Sequence, residues 1–172
     1  QVEAMSLTGQ SERIGSGEVD LAVGFLLRAT DVLAVETLLV DDFVCLVRKG
    51  HALAKKKRIS MAEFAKQRHV ANTPAGFVPR AMSAAGTAIG GSRIRASLPY
   101  TLGIPAMVRS SDLVATVPKR LLSAPVDLSG LVVLGAPEEL PQVAHSMWWH
   151  PRFDRDPAHR WLRERMREGF RA

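Results

Sequence analysis

The chain has a single cysteine, Cys45, so no internal disulfide can close. Its fold must then be held by an apolar core, and such sparse cysteine use points to a reducing compartment, the cytoplasm. Cys45 stands inside the apolar run FVCLV, Phe43 to Val47, where an inert core thiol belongs. No apolar run reaches the roughly 18 residues of a membrane span. The charged stretch KGHALAKKKR cuts off the longest candidate, and no membrane contact is expected. The start, QVEAMSL, has neither an initiator Met nor the basic opening and apolar stretch of a signal peptide. It reads as the beginning of a piece of a longer protein.

Short motifs that announce chemistry are equally scarce. The five histidines, at 51, 69, 145, 150 and 159, make neither HExxH nor a Cys/His pair of zinc-site spacing. There is no G-x-S-x-G elbow and no GxxxxGK[ST] phosphate loop. Gly86, Gly90 and Gly91 are better explained as the end of an alanine-rich helix. Asp41-Asp42 and Glu138-Glu139 are adjacent carboxylates, whose side chains ordinarily diverge. An enzyme, a metal site and a cofactor are therefore not expected.

Acidic charge is in the minority: 23 Lys and Arg face 17 Asp and Glu, a formal +6. The densest basic run, RKGHALAKKKR from Arg48 to Arg58, has no interleaved aromatics and no zinc-finger pattern, so it reads as a solvated turn rather than a DNA-reading surface.

What is present is an alternation of strand and helix signals in 172 residues, 47% hydrophobic and 23% charged. EVDLAVGFL (18–26) and SDLVATVP (111–118) read as buried strands, the first with the near-continuous apolar character of a parallel sheet. VEAMSL near the start reads as a further strand, SERIGSG as a short helix with a glycine exit, and 33–39 as a connecting stretch. FVCLV is the next strand. Ser60-Met61-Ala62-Glu63 has capping-box spacing and predicts a short helix. HVANT (69–73) is a strand, 80–89 a helix, 93–98 and 131–134 strands, and Pro105 opens a helix. HSMWWH is a last strand with at least one core tryptophan. Asp156-Pro157 caps a final helix expected to dock through Leu162, Met166 and Phe170, with Trp161 alongside.

Candidate binding residues cluster at strand exits. Tyr100 and Thr101 follow a strand and precede a helix, where α/β sheets commonly take ligands. A hydroxyl beside a helix N-terminus suits a carboxylate. Asn72-Thr73 is an analogous exit. His69, at a helix-to-strand junction, could donate to a carboxylate or serve only as a capping or surface residue. Phe43 could wall a ligand or simply pack. This inventory fits a small organic anion better than a sugar or nucleotide.

The order of GEVDLAVGFL, LVDDFVCLVRKGH, SSDLVATVP and LPQVAHSMWWHPRFDRDPAHRWLRE resembles the effector-binding domain of LysR-type transcriptional regulators along essentially the whole chain. The ending resembles a subgroup that includes nodulation regulators and regulators responding to salicylate, nitroaromatic or chlorinated aromatic compounds. The resemblance implies an α/β fold of two Rossmann-like lobes, as in type 2 periplasmic binding proteins, here lacking the first strand and helix of lobe I. Lobe I would comprise 1–34 and 141–172, lobe II 35–140. It implies an effector, a small aromatic or organic acid, held noncovalently between the lobes at His69, Thr73, Tyr100 and Thr101, with His69 and Thr101 binding its carboxylate or phenolic group and Tyr100 and Phe43 shaping the cavity. His51 would be a turn residue outside it. It further implies DNA binding through an N-terminal domain absent from this chain, and assembly as a homodimer or homotetramer. The same fold also serves solute receptors of transport systems, which is the alternative reading.

Overall fold

The unbroken apolar run at 43–47 has no polar side to turn toward water, so its strand must be covered on both faces. The computed structural model, which describes residues 2–3, 9–25, 32–72, 93–98 and 100–171, shows how this is done. The chain divides into two compact units, one of 1–40 and 144–172 and the other of 41–143. They are called here the outer and inner units, after their order along the chain. The exchanges fall at Val40/Asp41 and Val143/Ala144, against sequence-expected boundaries at 34/35 and 140/141.

The inner unit is built on a five-stranded sheet in the order β5-β4-β6-β3-β7. Its strands are β3 (Phe43–Arg48), β4 (His69–Asn72), β5 (Ile94–Leu98), β6 (Val114–Pro118) and β7 (Leu131–Gly135). β4 runs parallel to β5 and β6, while β3 is antiparallel to both β6 and β7. Four strands therefore point one way and β3 points back. Alternate residues of β3 feed two cores. Val44 and Leu46 join Ile104 and Val108 of α3 (Ile104–Arg109), together with Val70, Ala115 and Val117. Cys45 and Val47 join Phe64 of α2 (Met61–Lys66), with Ile59, Val114 and Leu134.

Local signals placed α2 correctly. Ser60 Oγ accepts from the Glu63 amide at 3.3 Å, and the Glu63 carboxylate accepts from the Ser60 amide at 3.2 Å. This is the reciprocal cap that S-x-x-E spacing predicts. Lys56 also pairs with that carboxylate. Lys56 first, then the Ser60 amide and hydroxyl, pull Glu63 down to about 2. The turn before α2 holds His51, buried, with its Nδ1 accepting from the Leu53 amide at 3.1 Å.

The outer unit carries a three-stranded sheet, β1-β8-β2, made of β1 (Leu21–Phe25), β2 (Ala34–Asp41) and β8 (Val143–Trp149). α1 (Gln10–Ser16) ends where Gly17 adopts φ 86°, a left-handed turn that glycine takes without strain. Ile14 of α1 packs with Ala22, Leu33 and Trp148 on one face of the sheet. The last helix, α4 (Pro157–Arg171), meets Trp149, His145 and Glu36. Asp156 Oδ1 accepts from the His159 amide at 2.7 Å, so the expected cap is present.

Three expectations are corrected here. The 18–26 strand does not sit in a parallel sheet: β1 is antiparallel to β8, with Leu21 opposite Trp149 and Phe25 opposite His145. As an end strand it alternates, Ala22 buried and Val23 exposed. The stretch 33–39 is no connection but most of β2, whose burial alternates in its first half because it pairs with β8 as the sheet's other end strand. The docking face of α4 is also different. Arg163 is 5% exposed and His159 is buried beside it, while Trp161 is 61% exposed and Leu162, Met166 and Phe170 are half-buried. An arginine can bury its stem and stack its planar head on a ring. The Arg163 guanidinium carbon lies 4.5 Å from the Trp149 ring centroid. The strand expected over 2–7 and the helix over 80–89 fall largely or wholly outside the described residues.

Candidate functional site

Because β4, β5, β6 and β7 share a direction, their carboxyl ends emerge along one edge of the inner unit's sheet, and the reversed β3 begins there. This edge gathers Asn72, Leu98, Pro118 and Gly135 as strand ends, with Phe43 as a strand start. Beyond β5 the chain turns through Tyr100 into a 3₁₀ turn, Thr101–Gly103, closed by the Gly103 amide donating to the Tyr100 carbonyl at 3.2 Å. Tyr100 is 68% exposed, and Leu102 beside it is an exposed apolar side chain. Thr101 and Phe43 are half-buried, and Phe43 packs against the Cys45 side of the core. From β3 to β5 is three inter-strand steps, about 14 Å.

The structure thus brings Phe43, Tyr100 and Thr101 to a common edge, and Thr73 lies outside the described residues. His69 is elsewhere. It is the first residue of β4 and Asn72 the last, so about 10 Å of strand separates His69 from the carboxyl edge. Its ring is 5% exposed, sits 4.5 Å from the Phe64 ring centroid, and places Nε2 2.9 Å from the Phe64 carbonyl. A carbonyl only accepts, so Nε2 carries a proton and donates. Burial chiefly, and the nearby Arg93 charge, push its pKa below the ordinary 6.5, against the raising effect of the Phe64 and Val114 backbones. His69 therefore fastens α2 to the start of β4. Leu102 is the neighbour that residue-by-residue reasoning missed; its signal was its place in YTLG, directly behind a strand exit.

The helix following this turn offers less to an anion than its sequence suggested. α3 has six residues, and Pro105 near its start removes one of the amides that would point outward. A hydroxyl at Tyr100 or Thr101 is then the better donor. A depression of about 670 Å³ is lined by Arg58, Ile59, Ser60, Glu63, Glu138 and Glu139. Three carboxylates against one guanidinium make it unsuited to an organic anion. Among the described residues no group of three His, Cys, Asp or Glu side chains could hold a metal. Burial drives the Cys45 thiol up to about 12, so it is no nucleophile. No helix among those described is long and apolar enough to cross a membrane.

The profile of the family described as LysR substrate binding domain matches residues 1–171. The HTH-type transcriptional activator NagR of Ralstonia sp is 34% identical over 163 residues, covering 92% of this chain and 53% of that protein. The HTH-type transcriptional activator NahR of Pseudomonas putida is 33% identical over 160 residues, with 92% and 53% covered. The chain spans about half the length of these curated relatives. Among solved structures, the regulatory domain of MexT, a transcriptional activator in Pseudomonas aeruginosa, superposes with a TM-score of 0.69 at 24% identity, over 91% of this chain and 76% of that one.

Proposed function

The chain belongs to the LysR substrate-binding-domain family, and on that premise we propose that it is the effector-sensing part of a DNA-binding transcriptional regulator. The effector is a small organic acid of aromatic type, bound noncovalently and released unchanged. The two units are its lobes. The observation that carries the binding assignment is the convergence of Phe43, Tyr100 and Thr101 on the carboxyl edge of one sheet, where open α/β sheets receive ligands. Tyr100 and Thr101 supply hydroxyl donors to a carboxylate or phenolic group, Phe43 supplies an apolar wall, and Thr73 follows directly on β4. His69 contributes by fastening α2 to the start of β4.

No chemical step is needed for such a device. An effector shifts a conformational equilibrium only by binding one state more tightly than another. An attached N-terminal DNA-binding domain in the cytoplasm, in a homodimer or homotetramer, reads out that shift. Calorimetric titration with salicylate, its nitro and chloro analogues and unrelated aliphatic acids tests this reading. Aromatic acids should bind, Thr101→Val and Tyr100→Phe should each weaken them about tenfold, and chromatography should recover the ligand intact. Indifference to every aromatic acid would remove the effector assignment. Turnover of any of them would remove the non-enzymatic one.

A further inference from the structure

The formal +6 is not spread over the molecule. The inner unit carries fourteen Lys and Arg against seven Asp and Glu, a net +7, while the outer unit carries nine against ten, a net −1. Within the inner unit Arg48, Lys49, Lys66, Arg68, Arg93 and Arg95 lie at the sheet edge opposite Phe43 and Tyr100, whereas Lys57, Arg58, Lys119 and Arg120 lie by the carboxyl edge in the company of Asp41, Asp42, Glu138 and Glu139. Arg68 precedes β4 and its carbonyl accepts from the Val114 amide at 2.9 Å, which sets it at the start of β6. Arg93 precedes β5, alongside His69 through the pairing of His69 with Ile94, and donates to the Lys66 carbonyl at 2.9 Å. Across the sheet Arg48 ends β3, pairs with Asp112 at 2.8 Å, and stands opposite Leu131. The Lys49 amide donates to the Gly130 carbonyl at 2.9 Å. Hydrogen bonds and strand register thus tie these residues into one row.

Lys49, Lys66, Arg68, Arg93 and Arg95 are all exposed, and none has a carboxylate partner among the described residues. The acids at this edge, Asp112 and Asp127, are taken by Arg48 and Arg109. We propose that this basic edge is a docking surface for the phosphate backbone of duplex DNA, read without regard to sequence. The edge spans four inter-strand steps, about 19 Å. A duplex offers one charge per roughly 1.7 Å of axis, so about ten phosphates pass across it. An acidic protein is disfavoured because such interfaces need an apolar centre. The exposed large apolar residues described in the inner unit are Tyr100, Leu102 and Val133; the first two lie by the carboxyl edge and Val133 is inside β7. The lack of exposed aromatics among the described residues of the basic row likewise disfavours unpaired strands, which are held by stacking. The inference is independent of which effector binds, and of whether one does.

Fluorescence anisotropy with a labelled random-sequence 30-base-pair duplex, titrated with this 172-residue chain at 50 to 200 mM NaCl, tests it. The expected dissociation constant is between about 1 and 100 µM near physiological salt, tightening steeply toward 50 mM. The quadruple change Lys49→Gln, Lys66→Gln, Arg68→Gln and Arg95→Gln should weaken binding at least about tenfold. The log–log salt slope should flatten by about 0.9 for each phosphate no longer neutralised. Arg155→Gln with Arg160→Gln, exposed cations of the outer unit, should leave both quantities unchanged. Circular dichroism checks folding, and Arg68→Gln with Arg95→Gln replaces the quadruple variant if that one unfolds. No duplex binding at 50 mM would overturn the proposal, as would an unchanged slope in the variant or an equal loss in the outer-unit control. Polyglutamate binding as tightly as the duplex would also overturn it, in favour of an acidic protein partner.

Discussion

Arg163 gives the sharpest test of how the outer unit is held together. Its guanidinium is almost wholly buried, and among the described residues no carboxylate pairs with it. It donates to the carbonyls of Phe153 and Asp154, each at 3.2 Å, and to His159 Nδ1 at 2.6 Å, while stacking on Trp149 at 4.5 Å. An arginine only donates, so His159 Nδ1 accepts and its Nε2 proton goes to the Asp20 carbonyl at 3.0 Å. Three charge-assisted bonds at about 1.5 kcal/mol each and a desolvated cation–π contact of about 2 kcal/mol give a gross gain of about 6 to 7 kcal/mol. Desolvating the charge costs several kcal/mol in return. Arg163→Met keeps the stem's packing but leaves two carbonyls and a ring nitrogen without their donor. A net loss of about 2 to 3 kcal/mol follows. Trp161→Ala, at an exposed position, should cost within about 0.5 kcal/mol. All three tryptophans, Trp148, Trp149 and Trp161, lie in the outer unit, so urea unfolding followed by tryptophan fluorescence reports that unit selectively. Midpoint shifts at constant m-value measure both variants. If Trp161→Ala lowers the midpoint more than Arg163→Met does, α4 is anchored by its apolar stripe and not by the buried arginine.

Other outcomes follow from the inner unit. His69 has a folded pKa below its unfolded one, so the unfolded chain binds more protons, and stability present above about pH 6.5 is lost as pH falls through and below that value. Urea midpoints from pH 8 to 5 should therefore decline, and decline less in His69→Gln; equal slopes would refute the assignment. Ser60→Ala should cost about 1 kcal/mol by removing half of the reciprocal cap, measured by the same denaturation with circular dichroism. Phe64→Ala, which empties the core under α2 and frees the His69 ring, should cost about 3 to 5 kcal/mol. Cys45 should resist a thiol reagent in the folded chain and react once urea unfolds it; rapid labelling under native conditions would contradict its burial.

Much of the fold was legible because its signals are local. The Ser60–Glu63 cap, the Asp156 cap and the buried run at 43–47 each act within a few residues. The edge near Tyr100 was legible for a related reason: a strand exit followed by a turn is visible in sequence. β2 was not, since Glu36 and Thr37 interrupt its apolar residues and only pairing with β8 makes it a strand. Glu36 belongs there because Arg167, 131 residues further on, reaches it with two hydrogen bonds of 2.5 and 2.7 Å. His69, taken from its helix-to-strand junction as a donor to a carboxylate, is the first residue of β4 and so lies at the edge opposite that strand's last.

Sequence alone determined what can be read over one or two turns of chain: where helices start, which runs must be buried, and a likeness to one family. Strand direction, strand order and the company each charge keeps came from tertiary structure. Those depend on pairings between residues tens to more than a hundred positions apart, such as Cys45 with Thr116 and Leu21 with Trp149. A local pattern costs little conformational entropy to form and so leaves its mark in neighbouring residues. A distant pairing leaves only half of its logic at each end. That is why the burial of Arg163 leaves no mark in its neighbours, and why the cations along one edge of the inner sheet are scattered in the sequence.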